Sequence, residues 1–242
     1  MDIPAIGAVV DYQYDTTIVA LSFLVSILGS YVALTLASAK GKAVDLVFGP
    51  ALALGGCAIW AMHFIAMIAY KAALPISFSM PWTLASLAVA VVLTGAGFHV
   101  ATRKTGSTSG LLLGGATIGI GAVAMHYMGM LGMQMSADIT WNPALIATSV
   151  VIAVVAATVA LWLAFNVKST AQKLGAAVVM GVAVCTMHYV GMGSATLICT
   201  ASSAGQGGLG GSYLAYMVFL LALILLGASL AYNTLLESTQ TT

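Results

Sequence analysis

A chain of 242 residues that is 61% hydrophobic and 5% charged, with mean hydropathy +1.08, has too little charge to cover a water-facing surface. Composition therefore excludes a soluble domain, and a net charge of +1 with only seven Lys and Arg excludes nucleic acid as a partner. Cys57, Cys185 and Cys199 form no CxxC pair and imply no disulfide framework; the first 17 residues carry Asp2, Asp11 and Asp15 without a basic residue, so no cleavable signal peptide is expected.

A bilayer core takes about 20 apolar residues to cross as a helix. Seven runs qualify: Thr17–Ala37, Val44–Ala69, Trp82–Ala101, Leu111–Met133, Pro143–Phe165, Leu174–Ile198 and Tyr213–Tyr232. They are too long and too continuously apolar for barrel strands. The expected fold is all-α: one domain over residues 1–242, an integral membrane bundle of seven transmembrane helices. Lys40 and Lys42 lie between runs one and two, Arg103 and Lys104 between three and four, and Lys168 and Lys173 between five and six. The opposite loops hold only Lys71 and Asp138. The positive-inside rule then places the N-terminus outside and the C-terminus in the cytoplasm. His99, near the cytoplasmic end of run three, reads as interfacial.

Runs two, four and six carry one motif in their outer halves. It reads Met62-His63-Phe64-Ile65-Ala66-Met67, Met125-His126-Tyr127-Met128-Gly129-Met130 and Met187-His188-Tyr189-Val190-Gly191-Met192. The recurrence at 63 and then 62 residues makes the chain three helix-pair repeats plus one extra span. On a helix, positions i and i+4 share a face, so each His is paired with the Met one turn on. Imidazole suits copper, zinc, iron and nickel, and thioether sulfur favours Cu(I) among them. Seven residues before each His stands Gly56, Gly119 or Gly181; three after stands Ala66, Gly129 or Gly191. Seven residues is close to two turns, so this spacing puts small residues near the His stripe and makes that stripe the interior face of the bundle. Cys185, three residues before His188, has Trp60 and Val123 as its counterparts and reads as core packing.

This pattern closely resembles the MHYT family of bacterial integral membrane sensor domains, over nearly the whole chain. The resemblance implies a copper site near the outer face of the bacterial inner membrane that responds to a diatomic gas such as oxygen, CO or NO. Carried over by position, its ligands are His63, Met67, His126, Met130, His188 and Met192, with Met62, Met125 and Met187 beside them. Phe64 departs from the family's Tyr, and Ile65, Met128 and Val190 depart at the next position. Family members are often joined to cytoplasmic domains that make or degrade cyclic di-GMP; with the chain ending at Thr242, such an output domain is expected outside it, in a longer protein or a partner.

Other chemistries compete. A zinc hydrolase built on three histidines needs a general base, and Asp45 is the one acidic residue in the seven runs. A copper transporter or channel needs ligands spread across the membrane, whereas these cluster at one depth. A haem could be held axially by two histidines on facing helices. The expectation is a sensor and not an enzyme.

Overall fold

The computed structural model describes residues 4–38, 45–104, 107–200 and 209–240. Lys40, Lys42, the predicted start of run two at Val44 and most of the Gly/Ser-rich segment after Thr200 lie outside the described residues.

Among the described residues, seven helices are long and apolar enough to cross a membrane. Span one is Thr16–Ala37, and span two combines Asp45–Pro50, Ala51–Ala61 and Met62–Ala69. Spans three to seven are Met80–Arg103, Thr108–Leu131, Pro143–Asn166, Thr170–Gly193 and Gly211–Gln240. Their ends follow local chemistry. Asp15 accepts hydrogen bonds from the amides of Thr17 and Ile18 at 3.0 and 3.2 Å, and Asn142 does the same for Ala144 and Leu145 at 3.0 and 3.3 Å. Ser169 and Gln172 form a reciprocal capping box that opens span six.

Span six ends at Gly193 and not at Ile198, where the apolar run ends. Ala195–Cys199 is instead a strand, because its alternating β-branched residues pair with a second such segment. Hydropathy alone does not separate the two. Among the described residues, seven short strands lie on the face from which span one starts: β1 Tyr12–Tyr14, β2 Tyr70–Ala72, β3 Ser77–Phe78, β4 Met133–Gln134, β5 Ala137–Trp141, β6 Ala195–Cys199 and β7 Leu209–Gly210. β1 pairs with β2, β3 with β4 and β5 with β6, all antiparallel. Each pair joins the entry of an odd span to the exit of the following even span. The repeat is therefore strand, helix, helix, strand, stitched shut at its open end. β7 adds to β3.

The first six spans form a closed ring in chain order, with one packed on two, two on three, and so on until six packs on one. The even spans also meet one another inside, and span seven packs outside on spans one and two. This explains why the central window of span two is 89% buried and that of span seven 22%. Small residues allow the close approach. A Cβ on Gly119 would fall 2.7 Å from the Val154 backbone of span five, one on Gly181 2.6 Å from Ile27 of span one, and one on Gly55 2.6 Å from the Ala90 carbonyl of span three. Ile27 and Val154 stand at matching places in spans one and five, and Ala90 stands one residue earlier in span three. The glycines before the motif thus serve contacts with the odd spans, which corrects their expected place beside the histidines.

The first repeat uses Gly55, eight residues before its His, where the others use the glycine seven before. Gly56 faces Leu225 of span seven instead. One extra residue is accommodated because Ala51–Ala61 is a π-helix. Its wider turns leave carbonyls out of α register, and the Ser26 hydroxyl donates to one of them, that of Ala58, at 2.9 Å.

Candidate metal centre

His63, His126 and His188 are each fully buried where spans two, four and six converge. The closed ring forces the even spans inward, and the common position of the motif puts the three side chains at one level. Their Nδ1 atoms face one another, at 3.0 Å between His63 and His188 and 3.2 Å between His126 and His63. The rings meet edge to face, with centroids 4.9–5.1 Å apart. One coordinating nitrogen from each ring lies within 4.8 Å of the others, so the trio could hold a metal ion.

The outward nitrogens are as distinctive. All three Nε2 atoms are buried; those of His63 and His188 have no hydrogen-bond partner, and that of His126 lies against the Gly191 backbone. A Cβ on Gly129 would collide with Nε2 of His63, and one on Gly191 with Nε2 of His126. Each glycine is the third residue after the His of the next repeat, so each ring is seated on its neighbour's backbone. In the third seat the equivalent residue is Ala66, itself buried.

Three neutral imidazoles carry one N–H each. If the protons sit on Nε2, three Nδ1 lone pairs point at one spot with nothing between them. If His63 carries its proton on Nδ1, it donates to one of the two neighbouring Nδ1 atoms and leaves the other lone pair opposed, while its own Nε2 keeps a buried lone pair without a donor. An unmade hydrogen bond in a buried site costs about 1–3 kcal/mol per group. A cation among the Nδ1 atoms resolves the inward conflict, since trigonal coordination at about 2.0–2.1 Å wants nitrogens roughly 3.5 Å apart. The donor set fits a metal that accepts imidazole.

The methionines of the motif are all buried. Met67, Met125, Met130, Met187 and Met192 are buried in the main core. Met62 belongs to a smaller cluster with Ala66 and Cys185, against Phe23 and Tyr189. Cys185 is thus packed as expected and is outside the histidine group.

Each His rests edge-on against the aromatic residue that follows it, at 4.8–4.9 Å. Those aromatics are anchored by serines that sequence reasoning missed. Tyr127 Oη lies 3.0 Å from Ser149 Oγ, and Tyr189 Oη lies 3.4 Å from Ser22 Oγ. Ser86 is the counterpart in span three. Phe64 has no hydroxyl to offer it, and the Trp60 indole donates to Ser86 instead, at 3.1 Å. The signal was present: Ser22, Ser86 and Ser149 recur at nearly the interval of the histidines.

Above the third His, Tyr189 meets Tyr14, which meets Tyr70, with centroids 5.4 and 5.6 Å apart. Burial, followed by the neighbouring phenols, holds Tyr14 and Tyr70 well above the ordinary tyrosine value. This lid stays uncharged and closes the strand face over the site.

A family model described as the bacterial signalling protein N-terminal repeat, MHYT, matches residues 3–49, 56–114 and 119–177. The matches include His63 and His126 and stop before His188. Among curated proteins, the chain is 34% identical over 235 residues to a bifunctional diguanylate cyclase/cyclic di-GMP phosphodiesterase, MucR, of Pseudomonas aeruginosa, covering 92% of this chain and 34% of that protein. It is 33% identical over 194 residues to the cyclic di-GMP phosphodiesterase NbdA of the same organism, covering 76% and 25%. The signalling protein YkoW of Bacillus subtilis is 29% identical over 195 residues, covering 76% and 24%. The chain thus spans about a third or less of the relatives it matches. No solved structure matches.

Proposed function

The chain belongs to the MHYT family, and from that premise we propose that it is a metal-centred membrane sensor domain whose histidine triad binds copper and responds to a diatomic gas. The observation that carries this is the convergence of His63, His126 and His188, fully buried with their Nδ1 atoms inward, at the centre of three repeats. Copper is favoured over zinc by the methionines of the motif: Met67, Met130 and Met192 follow the ligand histidines by one turn, and soft thioethers select Cu(I). Met62, Met125 and Met187 complete the polarizable shell. A haem would need a slot for its macrocycle, and rings whose centroids are 4.9–5.1 Å apart leave none.

The imidazoles would hold the metal, and the metal would supply a gas-binding centre. The chain's own contribution is a dry, uncharged enclosure and three helices that move if the triad does. Span seven, packed on span two, is the natural path to an output domain. By analogy with the named activities of MucR and NbdA, that output is turnover of cyclic di-GMP. A hydrolytic role is disfavoured because the spans contain no carboxylate near the triad to act as general base. A channel is disfavoured because the histidines sit at one level. We place the domain in the bacterial inner membrane with the strand face and N-terminus outside and the C-terminus in the cytoplasm, from the distribution of basic loop residues.

The test is elemental analysis and optical absorption of the purified protein in detergent, with the triple variant His63→Ala, His126→Ala, His188→Ala as control. Stoichiometric copper without a Soret band, lost in the triple variant, is the expected result. Full metal retention in that variant would overturn the reading, and a Soret band would move the histidines to haem.

A further inference from the structure

One turn away from the triad, toward the opposite face from the strands, lies a small apolar space of about 30 Å³. Its position follows the repeat. Ile59, Ala122 and Val184 line it, and each stands four residues before His63, His126 or His188. Leu54, Ile118 and Met180 line it a turn lower, eight residues before the second and third His and nine before the first, as the π-helix requires. Two sets of three side chains, one from each even span, therefore line the space, and Ala153, Ala156, Ala157 and Ala160 of span five complete its wall beside the histidines. Met187, beside His188, also reaches it.

None of these six side chains offers a hydrogen bond. A water needs two to four polar partners to stay in such a space, and apolar cavities of this kind remain dry and take up xenon. About 10–15 Å³ holds one water-sized sphere, so the chamber suits a molecule of two heavy atoms.

The chamber also has a side entrance. A broad apolar groove of about 450 Å³ runs along the lipid-facing surface between spans five and six. Groove and chamber share Ala156, Met180 and Ala183 as walls. Groove and chamber thus adjoin across two alanines and a flexible methionine. Tyrosines and paired strands cover the other end.

We infer that this chamber is a binding site for an uncharged apolar molecule of diatomic size, entering from the bilayer between spans five and six. Small apolar gases concentrate in lipid, so a lateral entrance draws on the richer phase. Water, ions and larger solutes are refused by polarity and size. Its meaning for signalling rests on the metal-centred reading above; its existence does not.

Xenon tests it without metal. In lipid nanodiscs, xenon NMR should report a slowly exchanging bound population, and xenon-pressurised crystals should show the atom between Ile59, Ala122 and Val184. Ala122→Leu should abolish binding by filling the chamber. Ala156→Leu and Ala183→Leu, on facing helices, should each retain binding but slow exchange about tenfold, a barrier rise of about 1.4 kcal/mol. Each variant is first shown to melt as a folded bundle. Absence of xenon from the chamber would overturn the inference, as would exchange that neither mouth variant slows. Copper content measured on the same samples separates the two readings: xenon without copper leaves the chamber standing and removes the metal, and copper without xenon does the reverse.

Discussion

Gly129 lies so close to His63 that the smallest side chain on the glycine would occupy the place of the imidazole Nε2. Backbone of the second repeat thereby fixes the ring of the first. Gly129→Ala is expected to displace His63 and weaken metal binding by roughly 10- to 100-fold, the range seen when a group behind a ligand is altered. Gly175→Ala, where an added Cβ meets nothing, should leave binding unchanged. Metal competition titrations on both variants decide the matter.

Loss of a single histidine leaves two. His126→Ala should lower copper to well below one per chain while circular dichroism keeps its helical form, because the ring of six spans is held by contacts distributed along their length. A variant that loses helicity together with metal would show that the triad is a structural keystone.

The serine anchors predict graded costs. Tyr127→Phe removes a 3.0 Å contact to Ser149 and should cost about 0.5–1.5 kcal/mol. Tyr189→Phe loses a 3.4 Å contact and should cost less. Phe64→Tyr should also destabilise, by about 1–3 kcal/mol, since Ser86 already serves Trp60 and the new hydroxyl would be buried without a partner. Unfolding in mixed detergent ranks the three.

The π-helix makes a deletion tolerable in one repeat alone. Removing Cys57 would bring Gly55 to seven residues before its His, the spacing used by Gly119 and Gly181, and allow an ordinary α-helix. A folded protein is expected, with some loss from the Ser26 contact to Ala58. Removing Val123 from the regular span four would instead turn Gly119 away from Val154 and should prevent folding. Expression and size-exclusion profiles of the two deletions check the contrast.

The strand-face lid has a pH signature. Tyr14 and Tyr70 ionise in the fold only well above the ordinary value of 10.0. The unfolded chain therefore releases those protons first, so the stability they contribute is present in full below pH 10.0 and declines as the pH rises past it. Tyr14→Phe should reduce that alkaline loss, measured by melting temperature against pH.

Much of this was legible in the sequence. Long apolar runs fixed seven helices, and the triple motif fixed both the repeat and the histidines, because backbone satisfaction in lipid leaves few alternatives. What escaped is instructive. β6 was absorbed into span six since Ala195–Cys199 is as apolar as a helix end, and pairing with β5 is not visible in hydropathy. The π-helix was hidden because a one-residue shift between Gly55 and Gly56 changes no composition. The glycines before the motif were assigned the right property, closeness, and the wrong neighbours. Ser22, Ser86 and Ser149 recur at 64 and 63 residues in the odd spans, but a lone serine in an apolar helix commonly bonds its own backbone and so does not stand out as an anchor.

Four departures from three-fold regularity fall in one repeat. The π-helix, Phe64, Ala66 and the docking of span seven all belong to span two. A triangle of equal helices is thus read at one corner. The second and third repeats set the geometry of the triad, and the first is loosened from their pattern and joined to the helix by which the chain leaves the bundle. Any rearrangement shared by the three histidines becomes, at that corner, the displacement of a single irregular lever.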